Sequence, residues 1–84
     1  MNKPTLYVIS TCPKCHRVQS YLNQIGFEYD MIAIDLISRE ERSAIIDSLR
    51  RYNPSPSFPT LDLGDTILIG TTIDEINQVL ERAR

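Results

Sequence analysis

Eighty-four residues are enough for one small domain, residues 1–84, and a chain of this size buries only about two-thirds of its unfolded surface. Nine basic residues against eleven acidic ones, a net charge of −2 and no basic stripe argue against a nucleic-acid partner, and the apolar runs fall far short of the ~18 residues that span a bilayer. A composition of 42% hydrophobic and 24% charged residues is that of a globular protein, and with both cysteines in one motif a scattered disulfide framework is excluded.

Met1-Asn2-Lys3-Pro4 runs directly into Thr5-Leu6-Tyr7-Val8-Ile9. That apolar run is too short for a signal-peptide core and has no small-residue cleavage site behind it, so a cytoplasmic location is expected, where thiols are kept reduced. Leu6 to Ile9 reads as a buried strand. Pro13 suits the first turn of the helix that follows, where its missing N–H is an orphan in any case. Along that helix Cys15, Val18, Tyr21, Leu22 and Ile25 recur at spacings of three and four and make an apolar stripe, with His16, Gln19, Ser20 and Asn23 opposite. Cys15 is therefore expected to point inward, while Cys12, ahead of the first turn, is freer to face solvent. Gly26 suits the stop of this helix.

Tyr29 to Ile34 reads as a second strand, and so tight a strand, helix, strand order implies a parallel pair with a right-handed crossover. Ser38 and Glu41 form a capping box for a second helix that ends near Tyr52, with Ile45, Leu49 and Tyr52 on its inner face. Tyr7 and Tyr29 are likewise assigned to core or rim packing. Asn53-Pro54 ends the helix, and the proline-dense loop Ser55–Pro59 leads into a strand over Thr60 to Leu63. Gly64-Asp65 fits a two-residue turn into Thr66 to Ile69, since glycine supplies the positive φ of a type II′ turn; these two strands are then antiparallel. Thr72 and Glu75 make another capping box, and Ile73, Ile76, Val79, Leu80 and Ala83 give the last helix its stripe. The order is βαβαββα, an α/β fold with a four-stranded mixed sheet flanked by three helices.

Cys12-Pro13-Lys14-Cys15 places two sulfurs one helical turn apart at the head of the first helix. A thiol at a helix N-terminus meets the partial positive charge of unpaired N–H groups, which favours thiolate and brings its pKa into the range of roughly 3.5 to 7.5. Lys14 adds a nearby positive charge, and the spacing lets Cys15 attack a mixed disulfide formed on Cys12. Rival chemistries use the same residues. Cys12-Pro13-Lys14-Cys15-His16 also matches covalent haem attachment, but such haems are mostly attached after export and His16 falls on the polar helix face, where a solvated surface role suits it better. A closed zinc site wants four ligands and a second Cys/His pair is absent, which leaves a zinc shared between subunits. Two cysteines that merely pack would account for Cys15 and not for Cys12 beside proline and lysine.

With the strand, the Cys12-Pro13-x-Cys15 helix start, the βαβαββα order and Ser57-Phe58-Pro59-Thr60 ahead of the third strand, the chain resembles a glutaredoxin-like protein of the thioredoxin superfamily from about Thr5 to the C-terminus. The resemblance implies a thioredoxin/glutaredoxin-like fold. It further implies a cis peptide bond before Pro59 beside the active-site sulfurs, a Phe58 backbone that pairs with the incoming substrate, and substrate contacts at Pro13 and Lys14. Two departures stand out. Where glutathione-using relatives carry a lysine three residues before the first cysteine, this chain has Ile9. Where they carry Gly-Gly followed by Cys/Ser-Asp, it reads Gly70-Thr71-Thr72-Ile73-Asp74. Thr71, Thr72 and the helix N-terminus still offer donors to a glutathione or substrate carboxylate. Arg51 is a further candidate for such a contact, although Arg50 and Arg51 also offset the dipole at the end of the second helix.

The expected function is a cytoplasmic, monomeric thiol-disulfide oxidoreductase that reduces a protein disulfide. Cys12 attacks, Cys15 resolves, and no metal or other cofactor is called for beyond the redox-active dithiol. Electrons are expected from a flavin or iron-sulfur disulfide reductase rather than from glutathione. The alternative from another class is a metal or iron-sulfur-cluster carrier with Cys12 as a ligand.

Overall fold

The structure, a computed structural model, describes residues 3–82. The elements run β1 (Thr5–Val8), α1 (Pro13–Gln24), β2 (Asp30–Ala33), α2 (Arg39–Arg50), β3 (Thr60–Asp62), β4 (Ile67–Leu68) and α3 (Ile73–Arg82), in the order expected from sequence. The four strands form one mixed sheet in the order β2-β1-β3-β4. β1 pairs parallel with β2 and antiparallel with β3, and β3 pairs antiparallel with β4.

Alternation along β1 decides which helix covers which face of the sheet. Leu6 and Val8 point to one side, where they meet Cys15, Val18 and Leu22 of α1, Leu61 of β3 and Ile76 of α3 in the main buried cluster. Tyr7 points to the other side and shares a surface with Ala44, Ile45 and Leu49 of α2 and with Ile67 of β4. Two helices therefore cover one face and α2 the other.

At both expected capping boxes the cap hydroxyl takes the N–H three residues on, and the glutamate carboxylate lies against that hydroxyl rather than on the cap N–H. The Ser38 Oγ accepts the Glu41 N–H at 3.1 Å and donates to Glu41 Oε1 at 3.2 Å, and the Thr72 Oγ1 accepts the Glu75 N–H at 3.2 Å. Gly64, at φ +93°, makes the turn between β3 and β4, and its N–H is held by the Asp62 carboxylate at 2.8 Å. Gly26, at φ +72°, ends α1.

Element ends depart from expectation for local reasons. Ile9 lies beyond β1 because its carbonyl accepts the Cys12 N–H at 3.1 Å, which turns the chain towards α1. Ile25, assigned to the apolar stripe, is 46% exposed, because the helix stops at Gln24 and Ile25 is its cap. Tyr52, assigned to the inner face of α2, is 64% exposed. That helix ends at Arg50, so the 3.6-residue period no longer governs where Tyr52 points; its N–H instead closes a turn on the Leu49 carbonyl at 3.0 Å. Ala83, placed on the stripe of the last helix, lies outside the described residues. Among the described residues no helix is long and apolar enough to cross a membrane.

Candidate active site

The C-terminal end of β1, the heads of α1 and α3, and the start of β3 meet at one end of the sheet. The antiparallel register Leu6↔Leu61 and Tyr7↔Thr60 brings Pro59 level with the end of β1, where the chain enters the cysteine motif. The Thr71 N–H then donates to the Pro59 carbonyl at 2.9 Å and fastens the head of α3 to the same place.

Cys12 is the N-cap of α1, with extended backbone (φ −88°, ψ 117°), and Pro13 follows in the first turn. Its Sγ accepts the Cys15 N–H at 3.3 Å, the role a serine or aspartate oxygen plays at an ordinary cap. The sulfur is thus aimed at the unpaired N–H groups of the helix head. Hydrogen bonds from the Cys15 thiol and N–H, reinforced by the Lys14 N–H and ammonium, hold the Cys12 pKa below its ordinary value. Cys15 has the opposite surroundings. Its side chain is fully buried in the main cluster, and burial pushes its thiol up to about 11. Both cysteines are free thiols.

The Phe58–Pro59 bond is cis. Pro59 and Thr60 are buried, Phe58 is half-buried against the core, and the Thr60 hydroxyl donates to the Ser57 carbonyl at 2.7 Å, which braces the loop ahead of β3. Beside the cysteine motif an open cleft of about 220 Å³ is lined by Lys14, Arg17 and Val18 of α1 and by Thr71, Thr72, Ile73 and Asp74 at the head of α3. Lys14, Thr71 and Thr72, singled out from sequence, thus share one cleft. Thr71 is buried and its donors are engaged, the N–H by Pro59 and the hydroxyl by the Thr72 carbonyl at 3.3 Å. Arg51 is exposed at the C-cap of α2 and does not line this cleft.

Three features escaped the sequence reading. Arg17 stands in the cleft because it lies three residues after Lys14, a spacing that puts both on one helix face and was open to inspection. The Thr60 brace lies within the segment Ser57-Phe58-Pro59-Thr60. The third, a contact between Ser10 and Asp35, joins positions 25 apart and leaves no local pattern.

The glutaredoxin family model matches residues 5–68, which takes in the cysteine motif and the Pro59 loop. The chain belongs to the glutaredoxin family. Among solved structures, methanoredoxin from Methanosarcina acetivorans is 34% identical over 94% of this chain and 84% of its own, with a TM-score of 0.82. A glutaredoxin from Archaeoglobus fulgidus is 29% identical over 95% of this chain and 87% of its own, also at a TM-score of 0.82. The gene 56 protein of Mycobacterium phage D29 is 29% identical over 77 residues, 92% of this chain and 81% of that protein. The fold is the thioredoxin-like fold of this family, and the family's chemistry is thiol-disulfide oxidoreduction, in general without a bound cofactor.

Proposed function

We propose that this glutaredoxin reduces disulfide bonds in other proteins of the cytoplasm by dithiol exchange through Cys12 and Cys15. The observation that carries this reading is the asymmetry of the pair: an accessible sulfur capping a helix, hydrogen-bonded to the Cys15 N–H at 3.3 Å, and a buried sulfur behind it. The Cys12 thiolate attacks one sulfur of the substrate disulfide, and the other leaves as a thiolate and takes up a proton. Cys15 then gives up its proton and attacks the Cys12 Sγ. The second substrate thiol is released, and the pair is left as the Cys12–Cys15 disulfide. The negative charge on Cys12 is one of the causes that hold the Cys15 pKa up, and it is gone once the mixed disulfide has formed. Resolution is thereby eased at the step that needs it. Pro13, Lys14 and the Phe58 backbone form the substrate-facing surface in this reading, with Pro59 buried next to Phe58 and supporting it from inside.

Two electrons return the pair to the dithiol, and we assign their delivery to an enzymatic disulfide reductase. Ile9 supplies no charge ahead of the motif, and both Thr71 donors are spent inside the protein, which leaves few free groups for the carboxylates of glutathione. Arg51 stays with the C-terminal end of α2, where it offsets the helix dipole. The test is turnover on a disulfide-bonded protein with NADPH and thioredoxin reductase, set against NADPH, glutathione and glutathione reductase. The first arm is expected to run much faster. The reverse order would overturn the choice of donor, and a protein that also fails to speed reduction of the substrate by dithiothreitol would overturn the function.

A further inference from the structure

Ser10, two residues ahead of the cap, is held at every polar group. Its N–H donates to Asp35 Oδ1 at 3.0 Å, its hydroxyl donates to Asp35 Oδ2 at 2.5 Å, and its carbonyl lies 2.8 Å from His16 Nε2. Asp35 reaches it because the parallel pairing of β1 and β2 continues one step further, through the Ile34 N–H and the Val8 carbonyl at 2.9 Å, so the chain after β2 runs beside the chain after β1. His16 closes the other side. Its backbone N–H donates to the Cys12 carbonyl at 3.1 Å while its ring holds Ser10, so the segment from Ser10 to Cys12 is tied at both ends to the first turn of α1. Short and fastened this way, the segment has little freedom to turn Cys12 away from the Cys15 N–H.

We propose that Asp35 is a positioning residue for the redox cysteine: by clamping Ser10 it holds Cys12 in the cap geometry in which its sulfur accepts the Cys15 N–H. The inference rests on Cys12 being the attacking sulfur. It differs in sign from a direct effect of the Asp35 charge. A carboxylate near a thiol disfavours the thiolate, so removing that charge alone would lower the Cys12 midpoint, whereas loosening the cap raises it.

The experiment is the pH profile of thiolate absorbance of the fully reduced protein, with Cys12 assigned by alkylation and mass spectrometry, for wild type, Asp35→Ala, Asp35→Asn and Ser10→Ala. Asp35→Ala is expected to raise the Cys12 midpoint by about half a unit, which lowers the thiolate fraction about threefold at any pH well below both midpoints. Asp35→Asn keeps an acceptor for the Ser10 N–H and sets an amide against its hydroxyl, and its midpoint should stay at or just below that of the wild type. Ser10→Ala removes one of the two bonds and should give a smaller rise. A folded Asp35→Ala protein with an unchanged or lowered midpoint would overturn the proposal. If that variant does not fold, an unshifted Ser10→Ala midpoint overturns it instead. No turnover enters these readings, so a protein that fails the reductase and dithiothreitol assays but shows these shifts would refute the proposed function and leave the clamp standing.

Discussion

Within one helical turn the protein keeps two sulfurs in opposed chemical states. Cys12 accepts hydrogen bonds from the residue that follows it by three and stands near the Lys14 ammonium, which favours its charged form, whereas Cys15 has its thiol pushed up to about 11 by burial. Alkylation reads this difference directly, because the thiolate is the reacting species. At neutral pH the reduced protein should take iodoacetamide on Cys12 about a hundredfold or more faster than on Cys15, as measured by peptide mass spectrometry over time. Equal rates would contradict the assignment of attacking and resolving roles. The inward direction of Cys15 was legible in the sequence from its place on the apolar stripe. Its fully buried state depends on Leu6, Leu61 and Ile76 arriving from other elements, which no window around the motif contains.

At the scale of elements, the join between the head of α3 and the loop ahead of β3 shapes the cleft beside the sulfurs. Gly70 sits at φ +60°, a conformation that costs other residues dearly, and a Cβ there would run into the Ser57 side chain. Gly70→Ala should therefore destabilise the protein by about 1–2 kcal/mol and lower Tm by roughly 5–15 °C, while displacing the Thr71 N–H from the Pro59 carbonyl. Adding Ser57→Ala removes the hydroxyl in the way and should recover part of the loss, with the backbone strain left in place. A double variant no more stable than Gly70→Ala, in thermal melts followed by circular dichroism, would contradict the close approach. Element starts were legible because Ser38 with Glu41 and Thr72 with Glu75 carry their own hydrogen-bonding chemistry. The ends were less so: Ile25 and Tyr52 continue the apolar pattern past the point where cap and turn hydrogen bonds stop the helix.

For the molecule as a whole, the opposed pKa shifts tie stability to redox state. The unfolded chain releases the Cys15 proton near its ordinary 9.0, and the folded chain holds it until about 11. The neutral buried thiol therefore contributes stability that is fully present below about 9 and is lost as pH rises through about 11. Cys12, with its pKa lowered, contributes in the other sense, present above its unfolded value and lost as pH falls through its folded one. The disulfide form has neither thiol, while the raised Tyr7 acts alike in both forms. Urea denaturation of the two forms should thus show the stability of the reduced protein falling relative to the oxidised one between pH 9 and about 11, and a constant difference would contradict the burial of Cys15. The element order and the β1–β2 and β3–β4 pairings followed from the strand and motif pattern, and Pro59 beside the sulfurs from the family resemblance; the β1–β3 pairing that sets the sheet order and the Asp35 contact that joins the chain after β2 to that end did not, because they join segments far apart in the chain. The most direct test of the dithiol mechanism is to incubate Cys15→Ser and Cys12→Ser proteins, each reduced, with a disulfide-bonded substrate protein and to look for covalent adducts by intact mass spectrometry. An adduct on Cys12 that accumulates in Cys15→Ser alone is the predicted result, and an adduct in Cys12→Ser, or none in Cys15→Ser, would contradict it.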